Sequence, residues 1–168
     1  MTQKHQSYLL LLLIALSGCT VNYSFTGADI PADANTFSVQ QFQIATPQAS
    51  PDYGLVLSES FKDLMLAQTR LDLAAKRGDL QFEGIVTGYQ IGNAAISSEE
   101  FTTLNRLTIT VKVKYTNTIE KDKSFEKNFS RFADYDSQVN FTDIEIELVE
   151  DVNGQLTQDI FDASLGAW

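Results

Sequence analysis

Between Arg106 and Thr116 the sequence alternates without interruption. Leu107, Ile109, Val111, Val113 and Tyr115 fall on one parity; Arg106, Thr108, Thr110, Lys112, Lys114 and Thr116 fall on the other. A period of two built from β-branched and aromatic residues specifies a strand with one apolar face and one wet face. At about 3.3 Å per residue it spans about 36 Å. That length and regularity suit the middle of a sheet. Within this strand the wet face holds three cations and no anion, although the whole chain has a formal net charge of −10.

The flanking segments supply partners for such a strand. Thr36–Ile44 reads as a first strand with Phe37 and Val39 on one face. Phe42 and Ile44 have the opposite parity, which predicts a bulge or twist near Gln40-Gln41. After a loop punctuated by Pro47 and Pro51, Leu57, Phe61, Leu64, Met65 and Gln68 follow helical spacing and predict a helix over Tyr53–Thr69. Asp52 or Ser50 is placed to cap it. Arg70–Ala75 reads as a short strand, residues 76–79 as a turn and Leu80–Ile91 as a long strand. Gly84 and Gly88 in that strand mark bends or close backbone approach. Residues 92–103 form a connector, residues 117–123 a hairpin tip, and Ser124–Ala133 a return strand. A second helix is predicted over Phe141–Ala163, with Thr142 and Glu145 at capping-box spacing and Gly154 as a weak point.

The N-terminus constrains the compartment. Tyr8–Leu16 is an apolar run too short to span a bilayer as a helix. It fits the apolar region of a secretory signal. Leu16-Ser17-Gly18-Cys19 follows, and Cys19 is the only cysteine. This pattern has the form of a bacterial lipobox, in which a diacylglycerol is attached to the cysteine sulfur and cleavage exposes that residue as the new N-terminus. Residues 1–18 are then a lipoprotein signal peptide, 19–34 a lipidated tether, and 35–168 one domain. Several acyl chains together anchor a protein stably to a membrane. Losing Lys4 with the leader takes the formal charge from −10 to −11, a poor balance for binding nucleic acid. The only histidine, His5, leaves with the leader. Ser-His, Cys-His and zinc-histidine chemistry are thereby excluded from the mature chain. Nothing singles out a carboxylate pair for acid–base work, no cofactor motif is present, and a non-enzymatic role is expected.

Charge is unevenly distributed. Leu104–Phe132 carries seven bases and three acids, whereas Ala133–Trp168 carries nine acids and no base. Arg106, Lys112 and Lys114 share a strand face, and Lys127 and Arg131 lie on the strand expected to pair with it. These five are the candidate contacts for an anionic ligand or a partner. Lysines on a sheet can equally serve to keep it soluble, and both readings remain open at this point.

Four segments together resemble the LptE family of lipopolysaccharide-assembly lipoproteins, in the form found in Bacteroidetes-type bacteria. They are Leu104–Val113, Tyr23–Ala28, Gly78–Gly84 and Phe129–Asp136. The resemblance implies an α+β fold: a two-layer sandwich of a roughly four-stranded mixed sheet with two helices on one face. It implies attachment to the outer membrane on its periplasmic side. It also implies a place inside the LptD-like β-barrel of the lipopolysaccharide translocon, assistance to that barrel's assembly, and binding of lipopolysaccharide. The Asn153-Gly154 pair departs from the unbroken helix expected of the family and predicts a kink. The other reading is a general envelope lipoprotein, a scaffold or pilotin-like chaperone for another outer-membrane assembly.

Overall fold

The computed structural model describes residues 28–94 and 103–166. In chain order the elements are β1 (Thr36–Val39), β2 (Gln43–Ile44), α1 (Tyr53–Gln68), β3 (Asp72–Leu73), β4 (Leu80–Asn93), β5 (Leu104–Asn117), a 3-10 turn (Lys121–Lys123), β6 (Phe125–Asp136) and α2 (Phe141–Leu165). The strands form one mixed sheet in the order β3-β1-β4-β5-β6, with β2 also paired to β4. The short strands run parallel to one another and to β4, while β4, β5 and β6 form an antiparallel meander. The α+β sandwich is as expected from the sequence. Among the described residues the sheet has six strands where the resemblance implied roughly four: the five segments read as strands are all present, with Arg70–Ala75 reduced to β3, and the first of them is split in two.

That split has a local cause. Phe42 is 2% exposed and packs over β4 at Gly84, where an added Cβ would lie 2.8 Å from the ring. The Phe42 amide donates to the Ser58 hydroxyl of α1 at 2.8 Å instead of to a strand neighbour. Residues 40–42 therefore leave the strand conformation, and pairing resumes at Gln43 opposite Ile85. The parity mismatch in the sequence marked this place; the structure makes it an interruption instead of a bulge. Gly54 is required there as well, since a Cβ would lie 2.1 Å from the Phe42 carbonyl oxygen.

β5 pairs with β4 on one side and β6 on the other along its length. Its apolar residues Leu107, Ile109, Val111 and Val113 are fully buried. An aromatic series crosses the layers at this level: Phe61 of α1 meets Phe82 edge-on at 4.9 Å, Phe82 stacks on Tyr115 at 5.0 Å, and Tyr115 meets Phe125 at 5.3 Å. The last three are cross-strand neighbours in register, so the sheet aligns rings that offset and edge contacts then stabilise. A register shift between Val86 and Gly88 changes the parity of β4 and turns Tyr89 inward, 4% exposed.

The helices cover this apolar face. α1 buries Tyr53, Leu57, Phe61 and Met65; α2 buries Leu148, Val152, Leu156, Ile160, Phe161 and Leu165. The cap of α2 is Asn140, whose side chain accepts from the Thr142 amide at 3.3 Å, and not the expected Thr142–Glu145 box. Asp52 stands at the N-cap of α1 without a side-chain capping bond. α2 runs unbroken through Gly154. Beside that glycine Asn153 accepts from the Tyr53 hydroxyl at 2.5 Å.

Candidate functional site

The wet parity of β5 lies on the sheet face opposite the helices. Arg106, Lys112 and Lys114 share that face. Lys127 and Arg131 do not. Cross-strand register sets Lys127 opposite Val113 and Arg131 opposite Ile109, which are buried residues of the helix side. The Arg131 guanidinium forms a two-pronged pair with Asp159 of α2, Nε to Oδ2 at 2.5 Å and the second nitrogen to Oδ1 at 2.6 Å. The Lys127 ammonium lies 4.8 Å from the centre of the Phe125 ring. The five candidates thus divide between two faces, three on the open one and two toward the helices.

The open face is also not a patch of bare cations. Register brings Asp134 opposite Arg106, while Glu126 of β6 and Glu83 of β4 flank Lys114. Arg106 donates to both carboxylate oxygens of Asp134, at 2.6 and 2.8 Å, and its guanidinium lies 3.6 Å from the centre of the Phe132 ring. Lys112 pairs with Glu126, and Lys114 with Glu83 at 3.6 Å. The hydrogen bond from Arg106 holds the Asp134 carboxyl below the ordinary carboxylate range, and the Lys112 ammonium does the same for Glu126. The sequence of β5 alone could not reveal these anions, because they come from its neighbours.

The three cations differ in what they can release. Arg106 has bidentate geometry and a ring beneath it, so its position is set by the sheet. Lys112 and Lys114 are about half exposed, and their partners are similarly exposed. Exposed pairs of this kind contribute about 0–1 kcal/mol, so an anionic group can displace the carboxylate at little cost. Both lysines border a recess of about 160 Å³, which Gln40, Gln41, Gln43 and Ile85 also line. Two ammonium groups beside amide donors suit a phosphate or carboxylate group.

Other polar sites hold the frame. At the β3–β4 turn one Asp79 oxygen accepts from the Asn35 amide (3.0 Å), the Thr36 amide (3.0 Å) and the Thr36 hydroxyl (2.8 Å). At the same end of the sheet, where the Thr118 amide donates to the Asp79 carbonyl at 2.9 Å, Lys123 joins Asp29 and Glu120, and Ala28 bridges to Gly166. The chain enters the fold there, beside the β5–β6 hairpin tip and the C-terminus of α2. Cys19 lies outside the described residues, as do the leader, most of the connector and Trp168. Among the described residues no helix is long and apolar enough to cross a membrane.

The fold is a two-layer α+β sandwich with one face covered by the helices and one open, ion-paired face. Comparison with known proteins makes this more specific. The lipopolysaccharide-assembly family LptE matches residues 34–164, and the chain belongs to that family. Among curated sequences none is significantly similar to it. Of the solved structures, a protein from Xanthomonas campestris superposes with a TM-score of 0.56 at 14% identity, over 82% of this chain and 85% of that one. An uncharacterised lipoprotein B from Nitrosomonas europaea gives 0.50 at 10% identity, over 85% and 88%. At such identities the likeness is one of fold.

Proposed function

We propose that this protein is a non-enzymatic, lipid-anchored subunit of the outer-membrane lipopolysaccharide translocon. In this reading it sits within an LptD-like β-barrel, assists the barrel's assembly and handles lipopolysaccharide on its way into the outer membrane. The family match over residues 34–164 carries the proposal. The anchor is a diacylglycerol on Cys19, and the protein faces the periplasm. A barrel lumen is polar and wet, and the open sheet face, charged in both signs, suits it. Lys112 and Lys114 contact anionic groups of the lipopolysaccharide or acidic loops of the barrel by exchanging Glu126 and Glu83 for them. Arg106 fixes the surface beneath; Lys127 and Arg131 are candidates only for a contact on the helix side.

Affinity capture from solubilised outer membranes should recover a large β-barrel protein with this chain. Recovery of the lipoprotein alone, or intact lipopolysaccharide export after its depletion, would sink the proposal. The lysines have a separate test. Lys112→Glu with Lys114→Glu should weaken binding of purified lipopolysaccharide at least about tenfold, while circular dichroism stays unchanged. Unaltered affinity would remove the two residues from the account.

A further inference from the structure

The helix side carries a second feature, remote from the lysine recess. Where the first turns of α1 meet the N-terminal half of α2, a cleft of about 240 Å³ remains open. Its walls are Tyr53 and Val56 of α1, Tyr89 of β4, and Ile146 and Val149 of α2. Ile146 is 78% exposed, the most exposed large apolar side chain among the described residues. The first residue that α2 buries fully is Leu148; before it Phe141 and Ile144 pack only partly against the core, and Ile146 lies off that stripe. The floor is fixed, since the Tyr53 hydroxyl is held by Asn153 and the Tyr89 hydroxyl by Glu145 at 2.8 Å.

The rim of this cleft is acidic. Asp52, Glu145 and Glu150 border it, and among the described residues none of the three is in an ion pair. Sequence explains why. The residues that line the cleft come from positions 50–56, 89 and 145–150, and none of them is a Lys or Arg; the one base on the elements that form it, Lys62 of α1, is paired with Glu59. Elsewhere in the protein bases do meet acids: Arg106, Lys112, Lys114, Lys123 and Arg131 are all paired. An apolar slot with three carboxylates around it and no base of its own complements an apolar side chain flanked by cations.

We propose that this cleft docks a basic segment of a partner protein. One aliphatic or aromatic side chain seats between Val56, Ile146 and Val149, and neighbouring Lys or Arg residues meet Asp52, Glu145 and Glu150. The proposal does not depend on the translocon reading, because the cleft lies on the helix side and its test needs neither barrel nor lipopolysaccharide.

The test uses the mature protein and a labelled short peptide, Gly-Ser-Lys-Lys-Phe-Lys-Lys-Ser-Gly, followed by fluorescence anisotropy. Two control peptides replace Phe by Ser, or every Lys by Glu. Saturable binding of the first peptide alone is expected. It should weaken at least about tenfold in Ile146→Ser and in the double variant Glu145→Gln with Glu150→Gln, and persist in Lys112→Glu with Lys114→Glu. Thermal melts check that each variant is folded. Equal binding of the Phe and Ser peptides would mean only diffuse attraction to an acidic surface and would overturn the proposal. So would indifference to the cleft variants, competition by calcium or spermine with no dependence on Phe, or absence of saturable binding.

Discussion

Asn153 sits mid-way along α2 with its side chain 3% exposed, held by the Tyr53 hydroxyl. Leaving a buried acceptor without its donor costs about 1–3 kcal/mol, whereas removing both partners can be close to neutral. Tyr53→Phe should therefore lower the unfolding free energy by about 1–2 kcal/mol in urea denaturation, and adding Asn153→Leu should recover part of the loss. Simple addition of two losses would show that the hydrogen bond does not couple the helices. Asp79 is a different case, at the surface. Its carboxyl is held below the ordinary range by the Asn35 amide foremost and by the hydroxyl and amide of Thr36. A depressed folded-state value means that the ionised form is the one folding favours. The contribution is complete above the unfolded-state value of about 4 and is lost as pH falls through the lower folded-state value. Asp79→Asn should flatten the fall in melting temperature below about pH 4. An acid limb as steep as that of the unaltered protein would assign the loss to Asp134 and Glu126 instead.

Whole elements respond to backbone chemistry as well. Gly154 lies within an unbroken helix, is exposed, and has no atom within 4 Å of the position a Cβ would take. Gly154→Ala should stabilise the protein by about 0.5–1 kcal/mol through helix propensity. Gly84→Ala should do the reverse by about 1–3 kcal/mol, since the Phe42 ring occupies the space of its Cβ. Paired chemical denaturations would read both changes, and equal effects would refute the distinction. The two glycines mark how far elements can be read from sequence. Alternation revealed β5 and helical spacing revealed both helices, because these patterns repeat along one segment. The open face was only partly legible, because register belongs to two strands at once. The anions Glu83, Glu126 and Asp134 beside the β5 cations cannot be read from a single strand, whereas the turning of Lys127 and Arg131 toward the helices can, since they share parity with Phe125, Phe129 and Ala133 on β6. The cleft was hidden for a related reason. Ile146 falls off the apolar stripe of α2, and only the meeting of two helix ends gives it a setting.

At the scale of the molecule the two layers have different electrostatics. On the sheet each open-face cation has a carboxylate beside it. The segment from Ala133 onward carries nine acids and no base, and among the described residues only Asp134 and Asp159 of that segment are ion-paired. Salt acts on these layers in opposite directions. It screens the exposed attractions of the sheet, which contribute about 0–1 kcal/mol each, and it screens repulsion along α2 and between α2 and the rest of an acidic chain. The repulsions are more numerous and act over longer distances, so they lose more when the screening length shrinks from about 30 Å at 0.01 M to about 10 Å at 0.1 M. Sodium chloride over this range should raise the melting temperature, an outcome that circular dichroism can check. Glu147 and Asp151 are exposed and unpaired among the described residues. Glu147→Gln with Asp151→Asn should therefore raise stability at low salt and reduce the further gain on adding salt. A melting temperature that falls with salt would mean that the sheet pairs outweigh the helix repulsion. The acidic layer would then impose no net cost on folding, and its unpaired carboxylates would be free to serve docking without destabilising the fold.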